Sequence, residues 1–479
     1  TDMEAGSTSG AGYTNGAGSS EYKMLSYFAR VNYTLMDRYL FEVNMRADAS
    51  SRFHKDHRWG YFPSFSAGWR MSEESFMKDI EWINNLKIRA SYGTLGNINN
   101  VGNYDYFQNY SSGNHYNFSD SPVIGIGESK PANETLGWEK VALTDIGLDF
   151  DIFNGLLGVT ADYYIKNTSD ILLGYNVPTE TGITAAPSQN IGKVKNTGFE
   201  LALNHRNKIG AVNYSIGANI ATNKNKITNL GGSDNIIQTS SYIVKYILKK
   251  GESIGSFYGF KTDGLYTQAD IDAGHYYTLS GVVPNAGDIK FVPQRDIEYK
   301  QEITDEDRTI LGKDVPDFTY GVNLSLQYKG FEFSMFGQGI SGTKVAFDVY
   351  GVHPFYHGQD SPRKYHLKRW TEENPNPHAA YPRIYSASSV HTTYNRNFSD
   401  YHLFDSDYFR FKTLSLGYTV PSATVKNWGL QSLKVYVTGE NLFTVRADKK
   451  MEDFDPETAG GVIYTLGTKS VAFGVNISF

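Results

Sequence analysis

The chain contains no cysteine. That excludes a disulfide framework, an iron–sulfur cluster and any Cys-ligated zinc. It also has no uninterrupted apolar run of the ~18 residues that a membrane-spanning helix requires. There is no basic excess either: 45 Lys+Arg stand against 51 Asp+Glu, for a formal charge of −6. A nucleic-acid partner needs a basic face, so none is expected. Neither H-E-x-x-H, G-x-x-x-x-G-K-[ST] nor G-x-S-x-G at a strand-to-helix turn occurs, so no enzyme activity and no cofactor are expected. What is present is glycine and aromatics: 47 Gly, 35 Tyr and 28 Phe in 479 residues. The mean hydropathy of −0.42 resembles that of a soluble protein. A β-barrel would give the same value, because only alternate residues face lipid.

Alternation of that kind runs through the chain. In MLSYFARVNYTL, residues Leu25, Tyr27, Ala29, Val31, Tyr33 and Leu35 share one face, and Ser26, Arg30, Asn32 and Thr34 the other. After Met36-Asp37-Arg38 the pattern restarts, with Tyr39, Phe41, Val43 and Met45 opposite Glu42, Asn44, Arg46 and Asp48. Period two with one apolar face reads as antiparallel β-strand. The same pattern recurs to the last segment, Val471/Phe473/Val475/Ile477/Phe479. Roughly fourteen strands of about ten residues are predicted, the length that crosses a bilayer at a tilt of ~45°. A dry sandwich core would penalise Glu42, Arg46, Asp48, Asp149 and Asp162. A wide aqueous lumen would not.

Short links alternate with long polar excursions, predicted near 97–136, 170–195, 225–255, 344–407 and 443–469. Short turns on one side and long loops on the other are the asymmetry of an outer-membrane barrel. Tyr33, Tyr39, Tyr163, Tyr320 and Tyr328 lie at strand ends, where an aromatic girdle belongs. The fold class expected is all-β: a transmembrane antiparallel β-barrel.

Residues 28–78 carry a denser signal, FARVNYTLMDRYLFEVNMRADASSRFHKDHRWGYFPSFSAGWRMSEESFMK. Further blocks are LKIRASYGTLGN, GSFYGF, GDIKF, DRTILG, FTYGVNLSLQYKGFEFSMFGQG, YFRFKTLSLGYTVP, GENLFT and DFDPE, in that order. Together they resemble the barrel of SusC/RagA-type TonB-dependent transporters of Bacteroidetes. The resemblance implies an outer-membrane importer of glycans or oligopeptides, with a SusD-like surface lipoprotein as lid. It also implies a plug and a TonB box, neither of which is legible here, in a 22-stranded barrel. Residues 1–22 read as the distal part of an extracellular loop and 23–479 as the C-terminal sector of the barrel. An upstream plug and barrel portion of the same protein is therefore an expected partner, as are TonB through that portion and outer-membrane lipid. A passive porin or a surface adhesin on a similar barrel is the alternative.

Two groups of candidate site residues follow. NYDYFQNYSSGNHYNF places Tyr104, Tyr106, Phe107, Tyr110 and Tyr116 among Asn and Ser, and VYGVHPFYH adds Tyr350, Phe355 and Tyr356. Aromatic faces stack on sugars or peptide side chains while amides and hydroxyls supply hydrogen bonds, so these rings are candidates for substrate binding. Packing of loop on loop uses the same residues. His353 and His357 share this second loop, too few ligands for zinc. The resemblance also implies a calcium loop, which falls on Asp296, Glu298 and Asp307. Here the fifth position is Lys300 and the sixth, where the turn wants Gly, is Gln301. A cation in the ligand ring argues against a bound metal.

Overall fold

The computed structural model describes residues 20–118, 121–174, 188–239, 243–347, 352–355, 361–457 and 467–479. One antiparallel sheet of fourteen strands organises them. Its first half consists of β1 (Met24–Leu35), β2 (Tyr39–Ser50), β3 (Trp59–Arg70), β4 (Ile83–Asn97), β5 (Glu139–Ile152), β6 (Leu157–Gly174) and β7 (Ser188–Ile209). The second half consists of β8 (Val212–Thr222), β9 (Lys224–Leu230), β10 (Phe318–Tyr328), β11 (Phe331–Ser341), β12 (Tyr408–Thr419), β13 (Ser432–Arg446) and β14 (Ser470–Ser478). Each strand pairs with the next in sequence, except that β9 prolongs β8 and folds back on β7 while β10 pairs with β8. Among the described residues β1 and β14 each have a neighbour on one side only.

Local sequence explains the wall. Val31 opposes Val43 and Asn32 opposes Glu42, so alternation in each strand is in phase with its neighbour. A slip of one residue would turn Glu42 and Arg46 outward. Val31, Phe41, Val43, Phe65, Ile146, Val475 and Phe473 project from the sheet into the surroundings; Phe473 is 84% exposed. For a soluble protein such a face would be a large liability. For a lipid-facing wall it is what the solvent requires.

Short links close one end of the sheet: Met36-Asp37, Asn154-Gly155 and Lys329-Gly330 take left-handed backbone there. The link 71–82 carries Glu74, which accepts from Tyr39 Oη (2.7 Å), Arg38 Nη1 (2.9 Å) and Trp69 Nε1 (3.1 Å). The predicted girdle residue Tyr39 thus has its hydroxyl bonded to a turn carboxylate.

The excursions at the other end are folded, and their extents differ from the sequence reading. Residues 170–174 and 188–195 belong to β6 and β7, and 443–446 to β13. The stretch 225–255 is no single loop: 224–230 is wall, and 235–239 and 245–249 open a small four-stranded sheet completed by 256–259 and 309–313. The true excursion runs from 231 to 317. Alternation does not mark its end, because its own strands are only two to five residues long.

This excursion and residues 342–407 share one core. Phe260, Leu265, Ile289 and Phe291 from the first pack with Trp370, Ala379 and Tyr394 from the second. A second cluster joins Val244, Phe257 and Leu311 to Ala346, Phe398 and Leu403. Burying one such side chain is worth about 1.5–3 kcal/mol. Among the described residues the two largest apolar clusters therefore lie in the loops and not in the wall. GDIKF is the staple of the Phe260 cluster: buried Asp288 accepts from Asn285 N, His391 Nδ1 and Asn395 Nδ2, each at 2.8 Å. Gly287 beside it has φ of +89°, and a Cβ there would meet the Trp370 ring at 2.5 Å.

Candidate functional site

The polar face of the sheet is organised by ion pairs between strands. Arg30 Nη2 on β1 meets Glu42 Oε2 on β2 at 2.5 Å, and Asn44 Nδ2 donates to the other oxygen of Glu42 at 2.7 Å. Arg89 on β4 lies among three carboxylates: Asp162 at 2.6 Å, Asp145 at 3.2 Å and Asp149 at 3.3 Å. Register explains this convergence, since Arg89 opposes Gly147 and Gly147 opposes Asp162. Glycine at 147 leaves room for the guanidinium, whose carbon would lie 2.5 Å from an added Cβ. Lys434 and Glu332 pair across β13 and β11 in the same manner. Such a surface suits an aqueous lumen; it would be untenable against lipid, where a mid-membrane Arg costs roughly 2–4 kcal/mol.

At the loop end, β12 presents Tyr408, Arg410 and Lys412 to the segment Asp453-Phe454-Asp455-Pro456-Glu457. Arg410 binds Asp455 Oδ1 and Glu457 Oε2, both at 2.6 Å, and Lys412 Nζ reaches Glu457 at 2.7 Å. Tyr408 Oη also donates to Glu457, at 3.0 Å. Burial pushes both carboxyls up, but these cations outweigh it and hold Asp455 and Glu457 below their usual range. DFDPE thereby ties the loop 447–457 to the inner wall. Alternation alone places Arg410 and Lys412 on the polar face; their acidic partners, 45 and more residues away, leave no local signal.

The predicted aromatic site is only partly assembled. Tyr104, Phe107 and Tyr110 are about half-exposed or more, and Tyr104 and Phe107 lie 6.1 Å apart. Tyr106 is instead a core residue, buried with Phe53, Phe62, Leu136 and Trp138. It stacks on Phe107 at 4.3 Å. Sequence gave no way to separate it from its neighbours, because the segment is irregular and has no period. Tyr116 lies in the strand 109–118, whose side chains are described only at its ends. Phe355 is exposed and makes no ring contact with Tyr104, Phe107 or Tyr110. Tyr350 and Tyr356 lie outside the described residues.

The former calcium-loop candidates are also dispersed in role. Asp307 is fully buried and accepts from Arg295 Nη2 (2.6 Å) and Nε (3.1 Å), and from the backbone N–H of Thr304, Gln294 and Arg295. Burial raises its carboxyl, but Arg295 and these three amides more than offset that and hold it at about 2. Asp296 and Glu298 do not converge on it; no group of three His, Asp or Glu side chains suited to a metal occurs among the described residues. The left-handed residue of the turn is Lys300 (φ +70°), not the expected Gln301, and its N–H donates to Tyr276 O at 2.6 Å.

Sequence reasoning set His353 beside His357 and missed the buried histidines it packs near, His366 and His402. His353, His366 and His402 come from separate parts of the 342–407 excursion. The His353 and His402 rings lie 5.2 Å apart, and His353 Nδ1 meets Tyr381 Oη at 3.1 Å. Burial and neighbouring positive charge keep His353 well below its ordinary value, and burial lowers His402 to about 4. They are neutral packing residues at physiological pH. His357 lies outside the described residues.

The wall and its loops have counterparts among known proteins. A TonB-dependent receptor of Formosa agariphila is 32% identical over 431 residues, which are 89% of this chain and 41% of the relative. SusC of Bacteroides thetaiotaomicron is 29% identical over 467 residues, 95% of this chain and 43% of SusC. A solved structure of the RagAB peptide transporter superposes with a TM-score of 0.74 at 25% identity, over 96% of this chain and 48% of that one. The chain thus spans less than half the length of these relatives. Residues 2–442 match the family described as TonB dependent receptor-like, beta-barrel. With its one apolar and one polar face, its alternating short and long links and this match, the chain belongs to the TonB-dependent receptor β-barrel family of outer-membrane transport proteins.

Proposed function

We propose that this chain is the C-terminal sector of a SusC-like importer that takes up oligopeptides or glycans across the outer membrane. The observation that carries the proposal is the fourteen-stranded wall, apolar outside and ion-paired inside, beneath a folded cap of loops. The open flanks of β1 and β14 need partners, since unpaired backbone in hydrocarbon costs several kcal/mol per group. We assign those partners, with the plug and the TonB contact, to the upstream portion of the same protein. The assignment of residues 1–22 to the distal part of an extracellular loop stays an expectation, because 1–19 lie outside the described residues.

A SusD-like lipoprotein would sit over the cap as a lid and deliver substrate to the lumen. TonB would act on the plug, and this wall would serve as the fixed frame against which the plug moves. The inter-strand pairs of Arg89, Glu42 and Lys434 keep that frame rigid while leaving its inner surface wet. Peptide as cargo is supported by the likeness to the RagAB peptide transporter; the aromatic–amide composition of the 103–118 segment suits glycans and peptides alike.

The test is uptake of a fluorescent oligopeptide pool and a fluorescent oligosaccharide pool by cells expressing the full-length protein. Uptake of one pool is expected, and it should vanish when TonB or the lipoprotein is removed. Uptake that persists without TonB would identify a passive porin, and cell adhesion without uptake would identify an adhesin.

A further inference from the structure

The loop 447–457 is held on two sides by two different kinds of contact. On the cap side the attachment is apolar. Met451 and Phe454 are buried in one cluster with Val345, Phe347, Tyr365 and Phe404 of the 342–407 excursion. The Phe454 ring stacks on Phe347 at 4.5 Å and tilts against Phe404 at 5.3 Å. Tyr365 N also donates to Asp453 Oδ2, at 3.0 Å. On the wall side the attachment is ionic. Arg410 and Lys412 hold Asp455 and Glu457, and Gln338 Nε2 on β11 donates to Glu457 Oε1 at 3.2 Å.

The two attachments meet at adjacent residues. Phe454 has extended backbone, with φ of −127° and ψ of 152°. Successive side chains of an extended segment point to opposite sides, which sends Phe454 into the cap and Asp455 to the wall. Their Cα atoms are joined by one planar peptide about 3.8 Å long, so little slack separates the ion cluster from the ring. A packed cluster answers such a displacement by changing its arrangement, not by stretching.

Open space lies beside the ionic contact. A cavity of about 500 Å3 is lined by Arg410, Phe454 and Asp455, and another of about 410 Å3 by Tyr408, Gln338, Pro456 and Glu457. The segment 455–457 is the partition between them. Desolvation offsets much of the Coulomb energy of a buried ion pair, so the pairs part at small net cost when both members rehydrate together.

We infer that the loop 447–457 is a latch between the inner wall and the cap. The ion cluster at Arg410 and Lys412 keeps Phe454 seated among Phe347, Tyr365 and Phe404. Its release loosens that cluster and joins the two cavities into one. The inference goes beyond the import reading and needs only the contacts named. In an importer, the latch would let the cap respond to what occupies the inner wall.

The experiment is hydrogen exchange of the purified full-length transporter, as wild type, as Arg410→Met and as Lys412→Gln. The loop 447–457 is read together with the cap segments 345–347, 361–368 and 403–405. The wall strands 318–341 and the segment 289–291, which belongs to the Phe260 cluster, are the references. In Arg410→Met the loop and all three cap segments are expected to exchange about tenfold faster or more, the effect of losing one charge-assisted hydrogen bond. The references should keep their rates. Lys412→Gln leaves the Arg410 pairs in place and should give a smaller rise in the same segments; it keeps the test valid if Arg410→Met fails to assemble. A loop that speeds up while the three cap segments hold their rates would overturn the latch. So would an equal rise at 289–291, or a loop unchanged in both variants. No uptake is measured, so a negative result leaves the import reading standing, and TonB-independent uptake would remove that reading with the latch intact.

Discussion

Asp307 offers the sharpest test of how the cap is held. Its carboxylate is fully buried and takes the guanidinium of Arg295 together with the N–H groups of Gln294, Arg295 and Thr304. Arg295 Nη2 also donates to Glu302 O at 3.2 Å, so a guanidinium occupies the centre of this turn. Asp307→Ala would strand three amides and one cation. Removing one partner of a buried ion pair costs about 3–5 kcal/mol, and the partial exposure of Arg295 places this case near the lower end. At ~3 kcal/mol the local opening equilibrium of 294–307 rises by roughly a hundredfold. The assay is hydrogen exchange of that segment in the full-length protein, with the wall strands as internal reference. The pH dependence has a defined sign. A carboxyl held at about 2, below its ordinary 3.8, stabilises the fold above the ordinary value and ceases to do so as pH falls through the depressed one. Protection in the wild type should be flat from about pH 7 to about pH 4 and decline from there towards pH 2. Asp307→Asn should be less protected throughout and lack that decline. A chelator should change nothing, because Arg295 takes the place a metal would need. Unchanged protection in Asp307→Ala, or chelator-sensitive protection in the wild type, would refute this account.

Other consequences are equally open to measurement. Val43→Arg should impair membrane assembly far more than Asn44→Arg, since the first puts a guanidinium on the lipid face at roughly 2–4 kcal/mol; equal heat-modifiability of the two variants on gels would reject the facing. Arg410→Met should leave Asp455 without its cation and free the loop 447–457, read as new protease cleavage there while Lys412 and Tyr408 still hold Glu457. Deleting 344–407 should spare insertion of the wall and weaken lid docking or substrate capture. It should also expose 231–317 to protease, because Phe260 and Phe291 lose Trp370 and Tyr394; a protease-resistant 231–317 would contradict the shared core.

Much of the wall was legible from residue order alone. Side chains alternate in a strand whatever lies beyond it, so Val31, Phe41 and Val43 could be assigned outward and Glu42 and Arg46 inward from local pattern. The short turns were legible for the same reason, because left-handed residues such as Asp37 and Asn154 act within a few bonds. Motif blocks identified the family, but not what each block does. Gly60 and Gly96 flank the Phe62 ring, which would collide with a Cβ at 2.4 Å and 2.1 Å; nothing in their sequence positions says so.

The remainder depended on separations that local pattern does not encode. Arg89 finds Asp145, Asp149 and Asp162 only once three strands are in register. Asp288 joins its excursion to His391 and Asn395, more than a hundred residues later. Tyr106 turns inward and Tyr104 outward in a segment with no period at all. The sequence by itself determined which faces meet lipid and which meet water, because a two-residue repeat acts through the strand's own geometry. The tertiary structure decided which buried charges are paired and which loops share a core, because those outcomes are set by the register and packing of residues far apart in the chain.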